Sequence, residues 1–162
     1  MVKRSELVKI LQENNIDLYN EEENQEFKKL LEKALDNQQN DNILNLTNDK
    51  ILQMNLDVIK ELHLSREDTF AYMKKLKGYK FVDEIDEIKY GAYIKWIPIG
   101  DPNKLPLNNG GIVCDIKITE NGTKIVCKNF GGRFYQLKMD ETLIFQKLTS
   151  EELILLNAID QL

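Results

Sequence analysis

The run from Ile112 to Lys128 alternates apolar and polar residues on both sides of an Asn121-Gly122 pair. Asn-Gly supplies two residues that tolerate positive φ, as the centre of a type I′ turn requires, and that turn matches the right-handed twist of paired strands. Alternation with a period of two lets each strand bury one face. The segment therefore predicts a hairpin with Ile118 opposite Ile125 and Ile116 opposite Cys127. Ile116, Ile118, Ile125 and Cys127 then share an inward face, and Lys117, Lys124, Val126 and Lys128 point outward.

The apolar period changes near Tyr79. Before it the spacing is helical. Leu7, Val8, Ile10 and Leu11 predict a helix over 3–14, and Phe27, Leu30, Leu31, Ala34 and Leu35 predict one over 21–36. A third spans about 49–62, and a fourth starts at a Ser65 cap and closes at Gly78. After Tyr79 the chain reads as strands: Ile88–Ile99, the two hairpin strands, Arg133–Met139 and Leu143–Leu148, with a long loop from Gly100 to Gly111. Thr149-Ser150-Glu151-Glu152 is a capping box that opens a last helix. The expected fold is α+β: a helical region over 1–78, a five-stranded antiparallel β-barrel over 79–148 and a C-terminal helix over 149–162.

The strand order and loop lengths over roughly residues 87–148 resemble an SH3-like barrel of the SH3, Tudor and Sm type. The resemblance implies a closed sheet that presents a binding face. The stretch from Gly91-x-Tyr93-Ile94-Lys95-Trp96 through Phe145-Gln146-Lys147-Leu148-Thr149 is similar to small proteins of large DNA viruses. That resemblance carries no motif of assigned chemistry. It implies a viral setting, with association with a virion or a structural role in a viral assembly.

Charge narrows the partners. The 162-residue chain has a net charge of −5, which gives no general attraction to nucleic acid or acidic lipid. The distribution is uneven. Residues 1–78 carry 12 basic and 15 acidic groups, 79–148 carry 10 and 9, and 149–162 carry none and 3. The strand-rich segment is thus the one part that is not acidic. No apolar run approaches the ~20 residues that span a bilayer, so no membrane partner is expected. Met1-Val2-Lys3-Arg4 leads into an amphipathic segment rather than a secretion signal. An intracellular, reducing compartment is expected, with Cys114 and Cys127 as buried, reduced thiols.

Enzymatic constellations are thin. His63 is the single histidine, and it falls at a junction between helices, as a turn residue would. No phosphate loop or nucleophile elbow occurs. Two cysteines and one histidine are too few for the usual zinc ligand set. Asp83, Glu84, Asp86 and Glu87 lack the glycine and spacing of a calcium loop and read as a solvated linker. No catalytic residue, cofactor or metal is expected, and the chain reads as non-enzymatic.

Two segments remain. Ile59 to Leu76 resembles a helix-turn-helix, with Lys74, Lys75, Lys77 and Lys80 placed to meet phosphate. His63 stands where glycine is usual, and Glu67 and Asp68 open the second helix against phosphate. The other is the outward face of the strand region, where Lys117, Lys124, Lys128, Phe130, Arg133 and Phe134 combine cations with aromatic rings. Such a surface stacks bases or holds a protein. A binding module for nucleic acid or a protein on this face is the leading expectation, and a helix-turn-helix regulator is the alternative.

Overall fold

The computed structural model describes residues 21–37, 43–44 and 46–161, with side chains from residue 29 onward. The helix expected over 3–14 and most of the polar stretch 37–42 lie outside the described residues. Four α-helices and six strands follow in the order α1 (Glu21–Asp36), α2 (Asn48–Lys60), α3 (Arg66–Lys75), β1 (Tyr79–Val82), β2 (Tyr93–Pro98), β3 (Asn108–Thr119), β4 (Gly122–Lys128), β5 (Phe134–Lys138), β6 (Thr142–Lys147) and α4 (Ser150–Asp160). No described helix is long and apolar enough to cross a membrane.

The chain divides into two units, residues 1–51 with 148–162, and residues 52–147. In the first, Leu31, Ala34 and Leu35 of α1 form one core with Leu155, Leu156, Ala158 and Ile159 of α4. Leu30, expected in the same stripe, is instead 46% exposed. The capping box of α4 forms as its sequence predicts. Thr149 Oγ1 accepts from the Glu152 amide at 3.1 Å, and the Thr149 amide donates to Glu152 Oε1 at 3.0 Å. Two otherwise orphan donors are satisfied within one turn.

The second unit is built on a single antiparallel sheet in the order β1-β6-β2-β3-β4-β5. It is not a barrel, and the expectation of a five-stranded SH3-like barrel is overturned. Tyr79–Val82 is a strand that the alternation after Tyr79 does not announce. That strand pairs along β6, with Phe81 opposite Phe145, while β2 pairs on the other side of β6. Both hydrogen-bonding edges of β6 are therefore filled, so β5 cannot close on β6, and β5 does not pair with β1. β1 and β5 remain the sheet's two edges.

The sheet nevertheless curls. Its concave face buries Ile94, Trp96, Val113, Ile125, Cys127, Leu137 and Ile144. Trp96 of β2 meets Tyr135 of β5 across the hollow, with ring centroids 5.7 Å apart. On the opposite face, Ile97 and Phe145 pack with Ile59 and Leu76 from the helix pair. The helix pair covers that face only at β1, β6 and β2.

The hairpin departs from its predicted register. Thr119 pairs with Gly122, Lys117 with Lys124, and Ile116 with Ile125. Among described residues His63 alone, apart from glycines, has positive φ, so Asn121 is not in the conformation a type I′ turn needs. The positive φ falls on Gly122, at 114°, which is the glycine position of a turn followed by a bulge. A second irregularity lies between Val113 and Asp115. It leaves Cys114 as the extra residue, exposed, while Cys127 is buried. The expectation that both thiols are buried on one face therefore fails at Cys114, because a bulge resets the alternation of side chains.

This asymmetry has a chemical consequence. Burial first, and the Cys114 thiol second, push the Cys127 thiol up to about 11. The thiolate is the reactive species. Brief iodoacetamide treatment of the native protein at mildly alkaline pH is expected to give one adduct, at Cys114, by peptide mass mapping. Equal or earlier modification of Cys127 would contradict the bulge.

Candidate functional site

The uncovered part of the sheet's outer face belongs to β3, β4 and β5. Alternation sets Asp115 and Lys117 of β3, Lys124, Val126 and Lys128 of β4, and Phe134, Gln136 and Lys138 of β5 on it. Lys117 pairs with Lys124, and Lys124 with Lys138, so three lysines run side by side across three strands. Like charges in direct register destabilise a sheet, and Asp115 is the one carboxylate among these strand positions. Lys124 is half-buried rather than exposed, whereas Lys117 and Lys128 are exposed.

Lys128 pairs with Phe134 and lays its Nζ 5.6 Å from the ring centroid. Phe134 is 61% exposed. The turn between β4 and β5 carries Phe130, 84% exposed, and Arg133, also exposed. The turn is held by Asn129. Its Oδ1 accepts from the Arg133 amide at 2.8 Å, and its own amide donates to the Arg133 carbonyl at 2.9 Å. The exposed ring therefore stands on a closed, hydrogen-bonded turn.

Phe130 meets Tyr93, a residue outside the expected cluster. Its ring stacks on Tyr93 of β2 at 6.0 Å between centroids and 25° between planes. Lys147 of β6 places Nζ 5.6 Å from the Tyr93 centroid. Beside them, Lys95 Nζ lies 4.6 Å from the Tyr79 centroid and donates to the Lys75 carbonyl at 2.8 Å. Burial, followed by the charges of Lys75 and Lys147, lowers the Lys95 ammonium from its ordinary value. Positive charge therefore accumulates along the Tyr79–Tyr93 edge, which favours an anion there.

Two hollows flank Phe130. One, of about 280 Å³, has Tyr79, Tyr93 and Lys147 in its wall. The other, of about 260 Å³, has Trp96, Tyr135 and Asn129. Asn109, Gly110 and Phe130 border both. Gly110 sits at φ +109°, where a Cβ would stand 2.9 Å from the Ile94 carbonyl oxygen. Only glycine lets β3 lie this close to β2.

The structure thus joins Lys128, Phe130, Arg133 and Phe134 at one end of the outer face, with Lys117 and Lys124 further along the same strands. It adds Tyr93, Lys147 and Lys138. The available signal was parity: Tyr93 alternates with the apolar Ile94 and Trp96 and so belonged on the other face of β2.

The helix pair 59–76 forms around His63, whose φ of 53° is the conformation glycine would adopt. Ser65 Oγ accepts from the Asp68 amide at 3.1 Å. Tyr72 donates to the Leu105 carbonyl at 2.7 Å, and Tyr72, Met73 and Leu76 join the sheet-side cluster. Glu67, Asp68, Lys74 and Lys75 are exposed.

The acidic stretch at 83–87 is a built turn rather than a solvated linker. Glu87 Oε2 accepts from the amides of Asp83 and Glu84 at 2.8 and 2.9 Å, and Oε1 pairs with Lys80 Nζ at 2.6 Å. Among the described residues, no three His, Cys, Asp or Glu side chains gather to hold a metal ion. Comparison with known proteins finds no match among family models, curated proteins or solved structures.

Proposed function

We propose that this protein is a non-enzymatic binding module that holds single-stranded nucleic acid on the outer face of its sheet, at the end formed by Tyr93, Lys128, Phe130, Arg133, Phe134 and Lys147. The observation that carries this reading is the Phe130 ring, 84% exposed yet stacked on Tyr93, with lysines over the neighbouring rings. Scattered exposed apolar side chains are ordinary. Three exposed aromatics gathered among cations are a stacking platform: the rings take base faces and the cations take phosphates. A double helix offers no unstacked bases to such rings, so a single strand is the better fit.

Fluorescence anisotropy with a labelled oligo(dT) across a salt series tests the proposal. Contacts to three or four phosphates give a slope of log affinity against log salt of about −2 to −3. Phe130→Ala is expected to weaken binding about tenfold or more, with far-UV circular dichroism unchanged. Lys74→Ala with Lys75→Ala is expected to weaken binding less than Phe130→Ala, because the pair removes only the Lys75 charge near Lys95 and leaves the stacked rings in place. Loss of binding in that double variant, with Phe130→Ala silent, would move the site to the helix pair. Absence of any oligonucleotide binding would leave the surface to a protein partner.

A further inference from the structure

The two hollows on either side of Phe130 differ in chemistry. The first offers phenol rings, an ammonium and one asparagine, from Tyr79, Tyr93, Lys147 and Asn109. The second adds amides to aromatic walls, with Asn108, Asn109 and Asn129 beside Trp96 and Tyr135. Each volume falls just under the roughly 300 Å³ at which drug-sized pockets begin, which is room enough for the ring system of one base. They share Asn109, Gly110 and Phe130 as lining.

We infer that Phe130 is a divider between two successive bases of one strand, one beside Tyr93 and one beside Trp96, and that Asn109, which borders both hollows, selects the base. This rests on the single-strand reading above and adds the order and selectivity of the bases. Stacking and an ammonium accept any base, since every base has a π-face and the ammonium meets the backbone. An amide presents a donor pair and an acceptor, which complement some base edges and oppose others.

The three asparagines are not equally able to read an edge. Asn129 uses its oxygen to hold the turn at Arg133. Asn108 turns its amide nitrogen toward the Trp96 carbonyl at 3.5 Å. Asn109 is exposed, and its side chain has no hydrogen-bond partner among the described residues. Asn109 is therefore the specificity residue, and Phe130 sets the spacing. The lysines on both sides supply the charge complement that a backbone passing over the ring needs: Lys147 flanks the first hollow, and Lys128 stands by Phe134 beyond the turn.

Trp96 is the chain's single tryptophan and lines only the second hollow of the two. Its emission therefore reports a base there and not at Tyr93. The experiment titrates the full chain with short homopolymers of each base while reading anisotropy and Trp96 emission together. Wild-type protein is expected to show an emission change on binding and at least a fivefold spread in affinity among the four bases. Asn109→Ala is expected to keep binding and the emission change but to compress the spread to about twofold. Phe130→Ala is expected to lose the emission change along with affinity. Oligonucleotide binding with a normal salt slope, but with constant Trp96 emission or an unchanged spread in Asn109→Ala, would overturn the two-subsite inference and leave the single-strand reading standing. No anisotropy change with any homopolymer would overturn both.

Discussion

Gly110→Val is expected to destabilise the second unit by about 3–5 kcal/mol, the sum of strain at positive φ and overpacking against fixed backbone. The residue has φ +109°, a region a β-branched side chain does not adopt without strain. Its Cβ would press on the Ile94 carbonyl oxygen at 2.9 Å, and that oxygen belongs to a central strand that cannot step aside. The pairing of β2 with β3 already shifts register between Ile94 and Trp96, and Gly110 lies at that shift. Chemical denaturation gives the stability change, with the sheet's far-UV signal as the probe. A loss under 1 kcal/mol would show that the strands separate freely there.

Glu87→Ala is expected to cost about 3 kcal/mol, because it strands the largely buried Lys80 ammonium and removes charge-assisted hydrogen bonds to two backbone amides. The pair is 2.6 Å long, with side chains 10% and 21% exposed. The turn it organises carries Ile85 and Ile88 against the concave core. It is tied to β6 by Gln146, whose amide nitrogen donates to the Glu87 carbonyl and whose oxygen accepts from the Lys89 amide. Burial raises the Glu87 carboxyl, but hydrogen bonds from the Glu84 amide, Lys80 and the Asp83 amide, together with the Lys80 charge, outweigh it and hold the group below 4.5. A depressed folded value means that the carboxylate stabilises the fold above the unfolded value and that this contribution disappears as pH falls through the folded one. The stability gap between wild type and Glu87→Ala should therefore be full at neutral pH and narrow below about 4.5. A gap independent of pH would assign the effect to packing alone.

The candidate site was legible in the sequence only where its residues are neighbours along the chain. Lys128, Phe130, Arg133 and Phe134 fall within one turn and its flanks, so parity and composition selected them together. Tyr93 and Lys147 belong to other strands, and only the pairing of β2 with β6 and the curl of the sheet bring them to Phe130. Lys124 read as an outward lysine like Lys128, but its placement between Lys117 and Lys138 in the middle of the three strands half-buries it.

The sequence by itself determined the class of the four described α-helices and of five of the six strands, and several of their boundaries. The helix at Glu21–Asp36, the Ser65 cap, the Thr149–Glu152 capping box and the change of period at Tyr79 all depend on residues within about one turn of each other. Local sterics and local hydrogen bonds settle such features. Tertiary structure alone decided whether the sheet closes, which residue the bulge expels and which rings meet. Tyr79–Val82 is too short to declare its pairing, yet by filling the second edge of β6 it keeps the sheet open. Cys114 reads as one more inward residue of an alternating strand, but the match of Val113 with Cys127 and Ile116 with Ile125 requires an extra residue between them, and Cys114 is the one turned out. Register is a compromise among contacts from distant segments, and those contacts do not exist until the strands have met.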